Sequence, residues 1–350
     1  MDERLLFLRH RLKKDEVLPL ECSFVGTAGQ TELHYWPPKP STHDCPKHLL
    51  LFILGNPGLL GYYPPFLNHL HSLLPPAHAI LATSHIGHSV TIPGPSIPLS
   101  LDQQIGSKVE IVEAIRRCLD GWADDEGSPK PKFALMGHSV GAYMTCEVIK
   151  RVNKPGHEWP IHSGYLLFPT LGWIANTWNG WTLWPIFHRP IRPILPYIAP
   201  LLRPFHSLVS LPPTSRSLLN SPSVLQHVLS LSKDEMISIR DLDEGWFKSQ
   251  GLNNTNAGNG LYGIWSAGNQ DGWVGRDGPL VQEYLGKEES GRVKVLSGVP
   301  HAFCVTQQHS ELVAEIVAGW INPNLSLEKV SALIAIEPIE QLPTSSVIPM

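Results

Sequence analysis

Apolar and polar positions along this chain fall into two alternating kinds of pattern. Short apolar runs at His48–Leu54, Ala79–Thr83, Phe133–Met136 and Gly164–Phe168 are bounded by glycine, proline or polar clusters. Runs of that length suit strands buried on both faces of a parallel sheet. Between them lie longer stretches with apolar residues three and four positions apart. One, Leu59 to Leu74, is helical after its first residues and is closed by Pro75-Pro76. Another, Leu101 to Trp122, carries Ile105, Val109, Val112, Ile115 and Leu119 on one stripe, with Ser100 placed to cap it. Residues 17–36 alternate and turn at Gly26 and Gly29, which predicts an opening hairpin. Further on, the pattern predicts a helix over 234–250 that begins at Asp234-Glu235 and a loop from Leu252 to Gly260. Strands follow at Leu261–Ala267 and Arg292–Leu296, then a closing helix from Ser310 to Trp320. Strands alternating with helices imply an α/β fold: a mostly parallel central sheet flanked by helices.

The rhythm breaks in the middle. From Trp159 to Ser232 there is no acidic residue, and the fixed charges are Arg189, Arg192, Arg203 and Arg216. Trp159, Trp173, Trp178, Trp181 and Trp184 fall here, with prolines at 185, 190, 193, 196, 200 and 204. A membrane-spanning helix needs about 20 mostly apolar residues, and Pro169, Asn176, Asn179 and Pro185 interrupt any such run. Tryptophan, arginine and leucine mixed with turn-formers match a segment lying in a membrane interface. The competing expectation is a lid whose aromatics pack inward. The expected organisation is a core of residues 1–168 and 258–322, an inserted Trp/Pro-rich cap at 169–257 and a tail at 323–350 without an assigned role.

Composition narrows the classes. A length of 350 residues suits one large α/β domain with an insertion. A net charge of −4 without a basic cluster argues against nucleic acid as a partner. Five scattered cysteines (22, 45, 118, 146 and 304) form no C-x-x-C, so neither a disulfide framework nor a zinc site is expected. No signal-peptide pattern opens the chain, and the sequons at Asn253 and Asn324 then carry no weight. Nothing resembles a phosphate loop, a dinucleotide fingerprint or a metal site, so no cofactor and no metal are expected.

Candidate chemistry centres on Gly137-His138-Ser139-Val140-Gly141, which joins an apolar run to a helix-like stretch. A serine at the apex of a sharp strand-to-helix turn, with glycines two positions to either side, reads as a nucleophile elbow. A serine hydroxyl needs a base, and the base an orienting carboxylate. In this arrangement the acid and then the histidine follow the serine, each on a loop past a strand. Asp271 and His301 meet that order, each about five residues beyond an apolar run. Asp241 and Asp243 are weaker acids because no strand precedes them, and His85, His88 and His138 are weaker bases because none follows the acid. The oxyanion hole needs two backbone N–H groups. Val140, directly after the serine, supplies one. The Gly55-Asn56-Pro57-Gly58 loop supplies the other, from Asn56 or, second, Gly58, since Pro57 has no N–H.

Gly55-Asn56-Pro57-Gly58 with Tyr62-Tyr63 and Phe66, the elbow with Ala142-Tyr143, Asp271, and Pro300-His301-Ala302-Phe303 together resemble the lipid droplet-associated hydrolase family of the α/β-hydrolase superfamily. The resemblance spans about residues 48–320. It implies esterase activity toward stored neutral lipid, including sterol esters, and attachment to droplets through the Trp/Pro-rich middle. The expectation is therefore a serine hydrolase for lipid esters (sterol esters or acylglycerols) working through Ser139, Asp271 and His301 by an acyl-enzyme. Its lipid interface would comprise Trp173, Trp178, Trp181, Trp184, Arg189 and Arg192. It would sit on the droplet monolayer, with the cytosolic face of the endoplasmic reticulum as a second membrane surface. Two rivals stand beside it: a largely non-catalytic droplet protein that organises lipid or partners, and an acyltransferase using the same residues.

Overall fold

The computed structural model describes residues 2–10, 16–39, 45–153, 161–205, 211–252, 260–268, 271–275, 277–322 and 325. Trp159, both sequons, most of the loop expected at 252–260 and nearly all of the tail lie outside the described residues. The described chain runs β1 (Leu20–Gly26), β2 (Gly29–Trp36), β3 (His48–Ile53), α1 (Pro64–Leu73), β4 (His78–Thr83), α2 (Leu101–Glu126), β5 (Lys132–His138), α3 (Val140–Val152) and β6 (Ser163–Leu167). Between β6 and β7 (Gly260–Ser266) lie α4 (Trp178–Thr182), α5 (Trp184–Phe187), α6 (Ile191–Ile198), α7 (Pro213–Leu219), α8 (Pro222–Ser238) and α9 (Glu244–Leu252). Then come α10 (Asp277–Tyr284), β8 (Val293–Leu296) and α11 (Gln307–Ile321).

The strands form one eight-stranded sheet in the order β1-β2-β4-β3-β5-β6-β7-β8. The opening hairpin pairs antiparallel, with Gly26 opposite Gly29, and β2 is antiparallel to β4; the remaining pairs are parallel. The continuous apolar run of β3 finds its reason here. Leu49, Leu51 and Ile53 enter one core, which α2 and α3 cover. Leu50, Phe52 and Leu54 enter the other, beneath α1 and α11. Both faces exclude water, so neither can carry a polar position. Ser100 caps α2 as expected: its hydroxyl accepts from Gln103 N–H while the Gln103 side chain accepts from Ser100 N–H, a reciprocal capping box.

The helix expected over 234–250 is wrong in its bounds. Helix α8 begins at Pro222, and Asp234-Glu235 lies in its last turns; the chain then breaks and α9 resumes at Glu244. Ser232, His227 and Glu235 interrupt the apolar stripe of α8 in sequence, yet all three are buried. A reading by hydrophobic period discards such a helix.

Candidate active site

Parallel strands β3, β5, β7 and β8 end on the same edge of the sheet, and the loops leaving them carry Asn56, Ser139, Asp271 and His301. At the end of β5 the chain turns through Ser139, whose φ of 56° and ψ of −124° place a non-glycine residue in a sparsely populated region. The flanking glycines are dictated by contact. A Cβ at Gly137 would lie 2.1 Å from Gly141 O, and one at Gly141 would lie 2.2 Å from Ile53 O and 2.5 Å from Leu54 O. Hence α3 docks directly on the end of β3. The same closeness holds at Gly55, where a Cβ would sit 2.9 Å from Ser139 Cβ. The Gly55–Gly58 loop therefore borders the serine.

His301 and Asp271 arrive from the loops after β8 and β7. His301 Nε2 is 2.9 Å from Ser139 Oγ, and His301 Nδ1 is 2.7 Å from Asp271 Oδ2. A carboxylate only accepts, so Nδ1 carries the hydrogen and Nε2 is free to accept from the serine hydroxyl. The second oxygen of Asp271, Oδ1, accepts from Trp273 N–H at 2.9 Å, which fixes the carboxylate plane. Ser139 is 8% exposed and Asp271 6%, so the three side chains meet largely out of water. Such a set can deprotonate the hydroxyl and hold the resulting imidazolium beside a carboxylate.

The competing residues are engaged elsewhere. Asp241 accepts from Trp173 Nε1–H at 3.0 Å, and Asp243 pairs with Lys150 at 3.3 Å and accepts from Trp246 N–H. His88 Nδ1 bonds Pro57 O at 2.8 Å, and burial pushes its pKa down to about 3. His85 is fully buried, and burial holds it well below the ordinary imidazole range.

His138 has a different place from the one its sequence position suggested. Its Nε2–H donates to His301 O at 2.9 Å, which leaves Nδ1 to accept from Tyr63 Oη–H at 2.8 Å; Tyr63 Oη in turn accepts from Gly55 N–H at 3.2 Å. The chain of bonds ties the loop of His301 to the start of the Gly55–Gly58 loop. Burial pushes the His138 pKa down to about 3, so it stays neutral and keeps this pattern at ordinary pH. Sequence reading weighed His138 only as a base and Tyr63 only as a motif letter.

Gly58 N–H donates to Gly55 O at 2.6 Å, so it is committed to the turn. The backbone bonds of the loop bypass Asn56 N–H among the described residues. Val140 N–H is the first amide of α3 and has no acceptor within its helix. The Asn56 side chain turns away from the sheet toward α8, where its Nδ2 meets Ser232 Oγ at 2.8 Å, Glu235 Oε1 at 2.9 Å and Val228 O at 3.2 Å. Burial, offset by the Asn56 bond and reinforced by Asp234, pushes the Glu235 pKa up to about 8. None of these α8 contacts was foreseen.

The predicted interface residues divide. Trp178 is 71% exposed and Trp181 73%, while Trp184 is 50% exposed and stacked on His188 at 4.0 Å. Arg189 is also exposed, but Arg192 is half-buried and reaches Ser230 on α8. Trp173 is held between Asp241 and the Arg240 guanidinium, 5.0 Å over its ring. No helix among the described residues is long and apolar enough to cross a membrane. No group of three or more His, Cys, Asp or Glu among them could hold a metal ion.

With this geometry in hand, comparison with known proteins is decisive for kinship. The family described as lipid-droplet associated hydrolase matches residues 46–304. The chain belongs to the lipid droplet-associated hydrolase family. A mouse protein named lipid droplet-associated hydrolase is 28% identical over 308 residues, covering 79% of this chain and 85% of its own. Among solved structures, a soluble variant of monoglyceride lipase from Saccharomyces cerevisiae aligns with a TM-score of 0.51 at 15% identity, covering 89% of this chain and 97% of that one. A carboxyl esterase from Bacillus coagulans aligns with a TM-score of 0.51 at 14% identity, covering 88% and 99%. At such identities the likeness is one of fold, and the fold is that of the α/β-hydrolases. The span of this chain that the family matches contains the elbow, Asp271, His301 and the Asn56 loop.

Proposed function

We propose that the protein is a serine hydrolase that cleaves carboxylic esters of lipids, sterol esters or acylglycerols, at the surface of a lipid droplet. The observation carrying this reading is the continuous contact from Ser139 Oγ through His301 to Asp271, at 2.9 and 2.7 Å, on an elbow whose backbone strain exposes the hydroxyl to the base. Ser139 Oγ attacks the ester carbonyl as His301 Nε2 takes its proton, and Asp271 holds the imidazolium. The tetrahedral oxyanion is met by the N–H groups of Val140 and Asn56. Its collapse expels the alcohol, which takes the proton from His301 and leaves an acyl-Ser139. Water, deprotonated by His301, then releases the fatty acid and restores the hydroxyl.

The lipid surface is argued from the insertion between β6 and β7. Trp178, Trp181, Ile194, Tyr197, Ile198 and Leu201 are all exposed there. An apolar surface of this kind on a soluble fold marks an interaction site, and its tryptophans and Arg189 suit a phospholipid interface. The names of the curated relatives point the same way. Purified wild type and Ser139→Ala, offered short- and long-chain esters and a fluorophosphonate probe, test the chemistry. Labelling and turnover in the wild type, absent from the variant, are expected. A wild type that takes no label and turns over no ester would overturn the reading in favour of a scaffold.

A further inference from the structure

The α8 contacts to Asn56 carry an inference that rests on the hydrolase reading and deepens it. We propose that Glu235 and Ser232 are positioning residues for the oxyanion hole, acting through the Asn56 side chain, so that the insertion directs a backbone donor of the catalytic site.

Three features argue for it. First, Val228, Ser232 and Glu235 stand at i, i+4 and i+7 on α8, one face of one helix, and all three present an acceptor to the same amide. Ser232 Oγ–H donates to Val228 O at 3.0 Å, which turns the lone pairs of the hydroxyl toward Asn56 Nδ2. Second, the amide has no competing anchor. Asn56 Oδ1 is buried without a partner among the described residues, so the acceptors on α8 alone set the side-chain direction. Around it, Gly55 N–H donates to Tyr63 Oη, Pro57 O accepts from His88 Nδ1 and Gly58 N–H donates to Gly55 O, while among the described residues the side-chain bonds of Asn56 all go to α8. Third, the choice of residue is costly for mere packing. Around Glu235 the buried positions of α8 include Val224, Leu225, Leu231 and Met236, where a leucine would fit without polar desolvation. A buried carboxyl there is kept protonated by its surroundings and retains an acceptor oxygen for the amide.

The test separates this role from ordinary contact between α8 and the core. Glu235→Leu keeps the burial and removes the acceptor; Glu235→Gln keeps the acceptor without an ionisable proton. Kinetics on a soluble short-chain ester and fluorophosphonate labelling rates are compared, with thermal unfolding as the check on folding. Glu235→Leu is expected to lower kcat by up to about 100-fold with KM little changed, the size of effect that an ångström of misplacement produces. Glu235→Gln is expected to recover most of that rate. The deciding measurement is a cycle with Asn56→Ala. If Glu235 acts through Asn56, the double variant is no slower than Asn56→Ala alone. Additive losses, or a wild-type rate in a folded Glu235→Leu, would overturn the proposal. Should Glu235→Leu not fold, Ser232→Ala enters the same cycle with the same two outcomes. A wild type that takes no label removes the hydrolase reading, and the clamp falls with it.

Discussion

Ser139 could have been an ordinary turn serine, but its neighbours hold it at positive φ beside His301. Its positive φ is tolerated because Gly137 and Gly141 let strand and helix close to within backbone contact. Adding one methyl at Gly141 would drive a Cβ into the carbonyls of Ile53 and Leu54, so Gly141→Ala is expected to lose about 3 kcal/mol or more, read by chemical denaturation. Asp271→Asn leaves the size of the side chain and removes the carboxylate that sets the His301 tautomer. Its kcat is expected to fall by about 10⁴-fold, measured against a soluble ester with KM followed alongside. Tyr63→Phe probes the bridge from His301 O through His138 to Gly55. Losing the hydroxyl frees His138 Nδ1 and Gly55 N–H together, and a fall in kcat of about tenfold with intact folding is expected. These residues were unequally legible. Ser139, Asp271 and His301 could be named because their chemistry needs a fixed chain order. Tyr63 and His138 could not, because nothing in their spacing announces that one imidazole will reach a carbonyl 163 residues away and, through Tyr63, tie that loop to Gly55.

At the scale of elements, strands β3 to β6 and helix α2 were readable because each is uniform: buried on both faces, or apolar along one stripe with a cap. Helix α8 is neither. Its buried positions mix Val224, Leu225 and Leu231 with His227, Ser232 and Glu235, because it packs among helices α2, α5, α6 and α7 and also meets the loops of Asn56 and Pro95. The polar letters hid the helix and placed its start about twelve residues late. The short helices α4 to α6 show the opposite case, with apolar letters that the fold leaves in solvent. Replacing Trp178, Trp181 and Trp184 together by serine is expected to shift the protein from floated droplets to the soluble fraction. Turnover of a soluble ester should change little, since among the described residues no hydrogen bond or ring contact joins the three to Ser139, His301 or Asp271. Undiminished flotation would assign this surface to something other than lipid.

Across the whole molecule, buried titratable groups set the pH range over which it holds together. His88 and His138 have folded pKa values of about 3 against 6.5 when exposed, with burial the first cause in each. Between those values the unfolded chain binds more protons, so stability falls as pH drops from 6.5 toward 3, by at most about 1.4 kcal/mol per pH unit for each group. Glu235 runs the other way. Its pKa rises from 4.5 to about 8 on folding, so the folded chain binds the extra proton and stability falls as pH rises through that window. Where the windows overlap the two imidazoles outnumber the carboxyl, so thermal midpoints should rise from pH 4 toward 6.5; above about pH 7 the fall due to Glu235 is opposed by buried Lys108, whose pKa burial pushes down to about 7. Glu235→Gln should remove the fall that the carboxyl causes up to about pH 8 and steepen the rise between pH 4.5 and 6.5.

Helix α8 touches Arg192 of α6 through Ser230 on one side and Asn56 on the other. Helix α8 therefore stands between α6, which carries exposed Ile194 and Ile198, and the loop that borders Ser139. On the proposed role of Asn56, charging the face of α6 that packs on α8 would also disturb the support of that loop. Slower turnover should then follow substitutions that disturb α8, and not the loss of exposed apolar side chains by itself.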